Sequence, residues 1–284
     1  MLTLLFDGIA YGMVLFILSA GLSVTLGLMN FINLAHGAFA MAGGYVTVVA
    51  MNRFGVPFLA ALPLAFLITA GVGLLLERTL YVHLYGRSHL DQVLFSIGLV
   101  FMAIAAVDFA MGSSQQLITL PSWLQGRVDV LGVAVGLYRS FIIAVCGVVV
   151  VALQLILTRT RFGSRLRAAV DDQRVARGLG INVSLIFAAT FAAGSGLAGL
   201  GGALGTEILG LDPTFPLKFM IYFLIVVTVG GTATITGPFL AALLLGVADV
   251  AGKYYVPEFG AFVIYTLMIV VLVLRPQGLF ARAQ

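Results

Sequence analysis

The chain has 284 residues, of which 61% are hydrophobic and 9% are charged, whereas ordinary soluble domains have about 25% charged residues. Its net charge of +4 comes from 13 Arg and two Lys against 11 acids. Basic residues of membrane proteins concentrate in cytoplasmic loops, so this excess of positive charge indicates the topology of the chain and not a nucleic-acid-binding function. The single Cys146 excludes an internal disulfide and a cysteine metal cluster.

Apolar segments near or above the roughly 18 residues that span hydrocarbon recur along the whole chain. They predict an all-α fold, a polytopic bundle of transmembrane helices that forms one domain over residues 1–284. The nine candidate spans are about 5–28, 37–51, 57–77, 92–110, 137–157, 184–210, 218–232, 238–251 and 259–274. Because several are short, eight spans and one re-entrant segment are the alternative. The first is longer than a signal-peptide core and is expected to stay in the chain.

A polar interruption, NFINLAHGAFAMAGGY at residues 30–45, separates the first two apolar segments. Asn30 and Asn33 are predicted to cap a helix that begins near residue 34, at mid-depth or near the inner interface. Gly37, Gly43 and Gly44 are expected to leave space and to let a neighbouring backbone come close. The non-helical backbone needs partners inside the protein or in a water-filled cavity. Two interpretations of His36 stay open: a structural hydrogen-bond donor, which we favour, and a titrating or substrate-binding residue.

The segment 111–136 combines turn residues, one Trp and alternating Val positions. This pattern predicts a short hairpin or a surface helix outside the membrane. The segment is either a surface for a soluble partner or a plain connector with Trp123 in the interfacial aromatic belt.

The segment 159–182 contains six Arg and is the predicted cytoplasmic anchor of the topology. Alternation from this loop places the N-terminus outside and the C-terminus inside the cell. An apolar face of one short helix is predicted, formed by Leu166, Ala169, Val170, Val175, Ala176 and Leu179 and ended by Gly178 and Gly180. Such a helix suits a groove on a soluble partner, and a solvated loop that only fixes topology is the alternative.

The run FAAGSGLAGLGGALGTE at residues 191–207 predicts a close-packing helix face, because small residues at spacings of three and four let helices approach. A phosphate loop would need a Lys followed by Ser or Thr, which this run lacks. Five acids lie near or inside the spans: Asp7, Glu77, Asp108, Glu207 and Asp249. Only Asp249 is placed where a functional acid is expected, and an ion relay normally needs several.

A second polar break, GGTATITGP, lies within IVVTVGGTATITGPFLAALLLG at residues 225–246. Paired interruptions in the two halves are typical of transporters in which broken helices meet at a central pathway. The predicted pathway residues are therefore Asn30, Asn33, His36 and Gly37 in the first break and Gly230, Gly231 and Thr232 in the second.

Four stretches carry a resemblance that covers nearly the whole chain: NFINLAHGAFAMAGGYV, RAAVDDQRVARGLGIN, GGTATITGPFLAALLLG and VLVLRPQGLF. On them the chain resembles the permease subunits of ABC importers for branched-chain amino acids, and it is most similar to the shorter, LivH type. The usual form of the first break in that family is Asn, an aromatic residue, Ala, His and Gly. Here the spacing from Asn33 to His36 is kept, while Leu34 replaces the aromatic residue.

The resemblance implies one of two homologous permeases, in a heterodimer or a homodimer, that form a pathway across the bacterial inner membrane. It implies two cytoplasmic ATPase subunits and an extracytoplasmic binding protein as partners, so that the chain itself is not an enzyme and needs no metal or cofactor. The segment 159–182 becomes a coupling helix seated on an ATPase, with candidate contacts at Arg165, Arg167, Ala169, Asp171, Asp172, Ala176 and Gly180.

Branched-chain or other hydrophobic amino acids are the first-choice substrates, and other amino acids, urea and small aromatic acids are the alternatives. A stand-alone channel or secondary carrier for a small polar solute such as urea is the second function class. An intramembrane enzyme is a third class, and no catalytic constellation in the sequence supports it.

Overall fold

The computed structural model describes residues 1–29, 31, 33–130, 133–231, 235–275 and 278–279. Nine helices of this part of the chain correspond to the nine apolar segments: α1 (Leu2–Met29), α2 (His36–Phe54), α3 (Phe58–Thr79), α4 (His89–Met111), α5 (Leu137–Arg159), α8 (Val183–Leu209), α9 (Phe215–Gly230), α10 (Thr236–Tyr255) and α11 (Gly260–Leu274). Two short helices, α6 (Arg161–Asp171) and α7 (Gln173–Gly178), join α5 to α8.

The predicted class, a multi-pass bundle of membrane helices, is confirmed. Among the described residues, six helices are long and apolar enough to cross a membrane, namely α1, α3, α4, α5, α8 and α10, while α9 and α11 are apolar but shorter. The choice between eight and nine crossings stays a prediction, because α2, α9 and α11 fall outside those six.

Helices α1 and α8 form the centre of the bundle. Helix α1 packs against α8, α9 and α10, and α8 also packs against α2 and α3. Helix α1 is apolar around its whole circumference and most of it is buried, as expected for a helix surrounded by others. By contrast, α4 and α5 are equally apolar and largely exposed, which in a membrane protein is the surface turned toward lipid or another subunit.

Glycines bring α8 into backbone contact with its neighbours. A Cβ placed on Gly43 of α2 would overlap the backbone of Gly199, and one on Gly202 would overlap the carbonyl of Ala40. A Cβ on Gly194 would lie 3.2 Å from the Cα of Gly21 in α1. The predicted close-packing face of residues 191–207 is therefore confirmed, because only residues without a side chain permit these approaches.

The connection between α4 and α5 contains the hairpin that was one of the two predicted alternatives. Strands β1 (Arg127–Val130) and β2 (Val133–Gly136) pair antiparallel. Upstream of the hairpin, the backbone N–H of Gln116 donates to the carbonyl of Leu211 at 2.7 Å. This bond fixes the connection to the turn between α8 and α9.

Replacing Gly43 with Ala should destabilise the bundle, because its Cβ would displace the α8 backbone at Gly199. Overpacking of this kind costs about 1–3 kcal/mol. We expect a lower midpoint in thermal unfolding of the detergent-purified protein. Gly71→Ala in α3 is the matched control: nothing lies within 4 Å of its added Cβ, and Ala favours a helix over Gly by about 1 kcal/mol. Equal midpoints for the two variants would contradict the contact.

Candidate functional site

The first break lies between α1, which ends at Met29, and α2, which begins at His36. Asn33 is 1% exposed. Its Oδ1 accepts hydrogen bonds from the backbone N–H of Ala35 at 3.1 Å and from the hydroxyl of Tyr81 at 3.0 Å. The N-cap residue of α2 is Ala35, and no side chain caps it. The capping role predicted for Asn33 is therefore wrong, because its bond closes the preceding turn instead. Asn30 lies outside the described residues.

His36 is held by the backbone of α1. Its Nε2 lies 2.8 Å from the carbonyl oxygen of Leu18, and the residue is 2% exposed. A carbonyl only accepts hydrogen bonds, so Nε2 carries the proton and donates. Leu18 precedes the end of α1 by 11 residues, or about 16 Å at 1.5 Å per residue, so α2 begins deep in the bundle. This bond is the structural role favoured from the sequence, and a substrate contact of His36 stays a prediction.

The glycines that follow His36 do not leave open space within the subunit. A Cβ on Gly37 would lie 3.0 Å from the Cα of Pro216 and 3.1 Å from its carbonyl oxygen, in the first turn of α9. Gly44 likewise faces Leu211 and Thr206. The predicted close approach of a neighbouring backbone is therefore confirmed at Gly37, whereas the expected space beside it is filled by α9.

The second break follows α9. Gly230 ends this helix, a Cβ on it would overlap the backbone of Pro238 in α10, and Gly231 has a positive φ of 82°. Thr232 lies outside the described residues. The break therefore joins two helices whose ends are in backbone contact, which requires Gly at residue 230.

The C-terminal segment packs against this second break. The backbone N–H of Leu279 donates to the carbonyl of Val229 at 2.8 Å. Val229 is among the last four residues of α9, whose carbonyls lack partners within the helix. Gly278 has a φ of 91°, and a Cβ there would lie 2.7 Å from the N of Gly231. The ending RPQGLF entered the sequence-based prediction only as part of the family resemblance, and this contact was not predicted. The glycine at residue 278 is the signal in the sequence that could have indicated a close backbone approach.

The Arg-rich segment 159–182 forms two helices rather than the single one predicted. Asp172 separates them: it has extended backbone angles, and its Oδ1 accepts from the N–H groups of Arg174 at 2.7 Å and Val175 at 3.0 Å. An Asp side chain that caps a new helix start favours a chain break at that residue. Helix α7 ends at Gly178, followed by Gly180 with a positive φ, as predicted.

The predicted apolar face divides between two surfaces. Leu166, Ala169 and Ala176 are buried in a cluster with Val183, Ile186 and Phe187 of α8. Val175 and Leu179 are instead 57% and 74% exposed. The buried positions of Ala169 and Ala176 place their side chains against the chain's own core. The other candidate contacts are exposed: Arg165, Arg167, Asp171, Asp172 and Gly180.

Helix α6 is attached firmly to the end of α5. A Cβ on Gly163 would overlap the carbonyl group of Leu157, and the guanidinium of Arg167 donates to that same carbonyl. The hydroxyl of Thr160 accepts from the N–H of Gly163 at 3.4 Å and caps α6. The position of α6 is therefore set by α5 as well as by α8.

Two of the predicted intramembrane acids are buried and have partners. The carboxylate of Asp249 pairs with Lys253 one turn later at 2.5 Å, and Glu77 accepts from the hydroxyl of Tyr85 at 3.0 Å. Among the described residues, no group of three or more His, Cys, Asp or Glu side chains is placed to hold a metal ion. In the turn before α9, partial burial raises the pKa of Asp212, but hydrogen bonds from Lys218 and Thr214 outweigh it and lower the pKa overall.

Together these features define a membrane-embedded helical protein with two helix breaks and a pair of short polar helices between its spans, the architecture of a transport permease. The chain matches the family described as "Branched-chain amino acid transport system / permease component" over residues 4–272, and it belongs to that family.

Curated relatives extend over nearly the whole chain. It is 29% identical to the high-affinity branched-chain amino acid transport system permease protein BraD of Pseudomonas aeruginosa, covering 99% of this chain and 95% of the relative. It is 26% identical to the corresponding protein LivH of Escherichia coli, with the same coverage. The longer permease LivM of E. coli is 25% identical, over 94% of this chain and 68% of that protein. No solved structure matches the chain.

Gly278→Ala should release the C-terminal segment from α9, since a Cβ at this positive φ would meet the backbone of Gly231. We expect faster hydrogen–deuterium exchange at the amide of Leu279. Gly55→Ala is the matched control, because Gly55 also has a positive φ but nothing lies within 4 Å of its added Cβ. Unchanged exchange in Gly278→Ala would show that the contact does not hold the segment.

Proposed function

We propose that this chain is a membrane subunit of a binding-protein-dependent ABC importer and forms half of a pathway for branched-chain or other hydrophobic amino acids. The observation that carries this proposal is the family match over residues 4–272. The relatives BraD and LivH are named as branched-chain amino acid permeases, and this supports the substrate class.

The second half of the pathway is a homologous permease. Both LivH and LivM are permeases of branched-chain amino acid transport systems, and this chain is similar to each along most of its length. Helices α4 and α5 present wide exposed apolar faces, so the subunit has surface for a second permease as well as for lipid. Two cytoplasmic ATPase subunits supply the energy, and an extracytoplasmic binding protein delivers the substrate.

Helices α6 and α7 form the ATPase contact. Exposed apolar side chains are costly in water unless a partner covers them, and Val175 and Leu179 are such side chains outside the spans. Arg174 and Arg177 lie beside them and are exposed. This surface fits an apolar groove with an acidic rim, the usual mode by which a helix docks on a protein.

The two helix breaks act on the shape of the pathway. In the first, His36 and Gly37 hold the start of α2 against α1 and α9, and Asn33 holds the preceding turn to Tyr81. In the second, Gly230 and Gly231 join the ends of α9 and α10. Because these contacts are close-packed, a small movement of one helix changes the position of the others. Asn30 and Thr232 complete the two proposed sets.

Transport by the complete complex tests the function. Proteoliposomes containing both permeases and the ATPases should accumulate radiolabelled leucine only with ATP and the leucine-loaded binding protein. Uptake of labelled urea under the same conditions is the comparison for substrate class. Leucine or urea transport by this chain alone, without ATPases, would instead establish a channel or secondary carrier.

Cysteines on the exposed face of α7 should crosslink to a copurified ATPase subunit. We expect crosslinks from Val175→Cys and Leu179→Cys, because both side chains are exposed. Ala176→Cys is the internal control, because Ala176 adjoins Val175 in the sequence but is buried against α8. The native Cys146 is buried and does not interfere. Crosslinks that form only at other surfaces would remove α7 from the ATPase contact.

We also propose that the chain lies in the bacterial inner membrane with its N-terminus outside and its C-terminus in the cytoplasm. The six Arg of residues 159–182 support this orientation. The guanidinium of Arg78 donates to the hydroxyl of Ser184 at 3.0 Å, so the α3–α4 connection and the start of α8 lie at the same end of the bundle.

Labelling of intact cells with a membrane-impermeant thiol reagent checks this orientation. Ser114 and Arg165 are both exposed, in the α4–α5 connection and in α6 respectively. Ser114→Cys should be labelled, and Arg165→Cys should be labelled only after the cells are permeabilised. The reverse pattern would invert the topology.

A further inference from the structure

Two tyrosines after α3 lie between the cytoplasmic helices and the first break. Tyr85 packs against the apolar cluster that contains Leu166, Ala169 and Ala176 of α6 and α7. Its ring meets that of Phe187, at the start of α8, edge to face with centroids 5.7 Å apart. Tyr85 therefore contacts the buried cluster of α6 and α7, whereas Val175 and Leu179 of the proposed ATPase surface are exposed.

The same ring also touches the first break. Tyr85 lies 5.6 Å from Phe31, and Phe31 lies 5.4 Å from Tyr81, both edge to face. Tyr81 continues the stack to Phe191 of α8 at 4.5 Å. Phe31 and Tyr81 are fully buried. Edge-to-face ring pairs have preferred geometry, so a shift of one ring is passed to the next.

A directional hydrogen bond ends this series of contacts at the break. The hydroxyl of Tyr81 donates to Oδ1 of Asn33, the atom that also closes the turn onto Ala35. The next residue, His36, donates to Leu18 of α1. The orientation of Tyr81 is thus connected to the turn from which α2 begins.

A buried carboxylate makes the position of Tyr85 specific. Glu77 is 1% exposed, and among the described groups one oxygen accepts from Tyr85 while the other has no hydrogen-bond partner. The nearest cation is Arg78, whose Nε lies 3.7 Å from that second oxygen. An unsatisfied buried carboxylate is costly. The hydroxyl of Tyr85 is therefore held at Glu77, because moving it away would leave the carboxylate without this hydrogen bond.

We propose that Tyr81 and Tyr85 are positioning residues that pass a displacement of α6 and α7 to Asn33 and so to the start of α2. This inference rests on the proposed function, in which an ATPase moves these two helices. The series runs from the buried face of α6 and α7 through the partly buried Tyr85 and the buried Phe31 and Tyr81 to the first break.

The experiment measures leucine uptake and ATP hydrolysis in the same proteoliposomes of the complete complex with the leucine-loaded binding protein. Tyr85→Leu keeps an apolar side chain but loses the ring contacts with Phe187 and Phe31. It should lower leucine transported per ATP by about twofold to thirtyfold, the range for coupling through packed networks. Tyr81→Phe keeps the ring and loses only the bond to Asn33, so a smaller decrease is expected.

Tyr85→Phe keeps both ring contacts but loses the hydrogen bond to Glu77, so it should restore only part of the ratio lost in Tyr85→Leu. Tyr254→Leu, at an exposed tyrosine near the end of α10, is the control for removal of a ring. A residue that only supports folding would lower the yield of the complex while the ratio per assembled complex stayed normal. A normal ratio in both Tyr85→Leu and Tyr81→Phe overturns the proposal, and failure of the wild-type complex to couple uptake to ATP would instead overturn the proposed function.

Discussion

Backbone contact between α8 and the helices around it is the constraint on which the rest of the structure depends. Gly43, Gly194 and Gly202 allow α1, α2 and α8 to approach more closely than any side chain would permit. In a membrane the hydrophobic effect does not favour a neighbouring helix over lipid. Close packing of this kind therefore selects which helices pack together. The positions of both breaks follow from it, because α2 and α9 are placed against this central group.

In the described part of the two breaks, Asn33, His36 and the carbonyl of Val229 have hydrogen-bond partners inside the protein. Lipid offers none, so each unpaired N–H or C=O at that depth would be costly. The side chains of Asn33, Tyr81 and His36 and the backbone of Leu279 supply those partners. The two polar interruptions are thus tied to distant segments, the α3–α4 connection for the first and the C-terminal segment for the second. In the proposed orientation, both of these segments lie at the cytoplasmic end of the bundle.

Helices α6 and α7 combine a firm attachment with an accessible surface. Helix α6 is bound to the end of α5 through Gly163 and Arg167, and both helices bury their small residues against α8. Val175 and Leu179 remain on the outer side. The exposed surface is thus fixed to the ends of α5 and α8, as the proposed ATPase contact requires.

The sequence by itself determined the membrane class, the helices, the interrupted segments and the family, because hydrophobic length, charge placement and turn residues are local properties of the chain. It did not predict that Pro216 fills the space beside Gly37, that Asp172 divides the cytoplasmic segment, or that Ala169 and Ala176 turn inward. Only the tertiary structure decided these points. The neighbour that packs on a short or weakly amphipathic helix decides which of its sides is covered. Residues as distant in sequence as Tyr81 and Asn33 meet only when the helices are assembled.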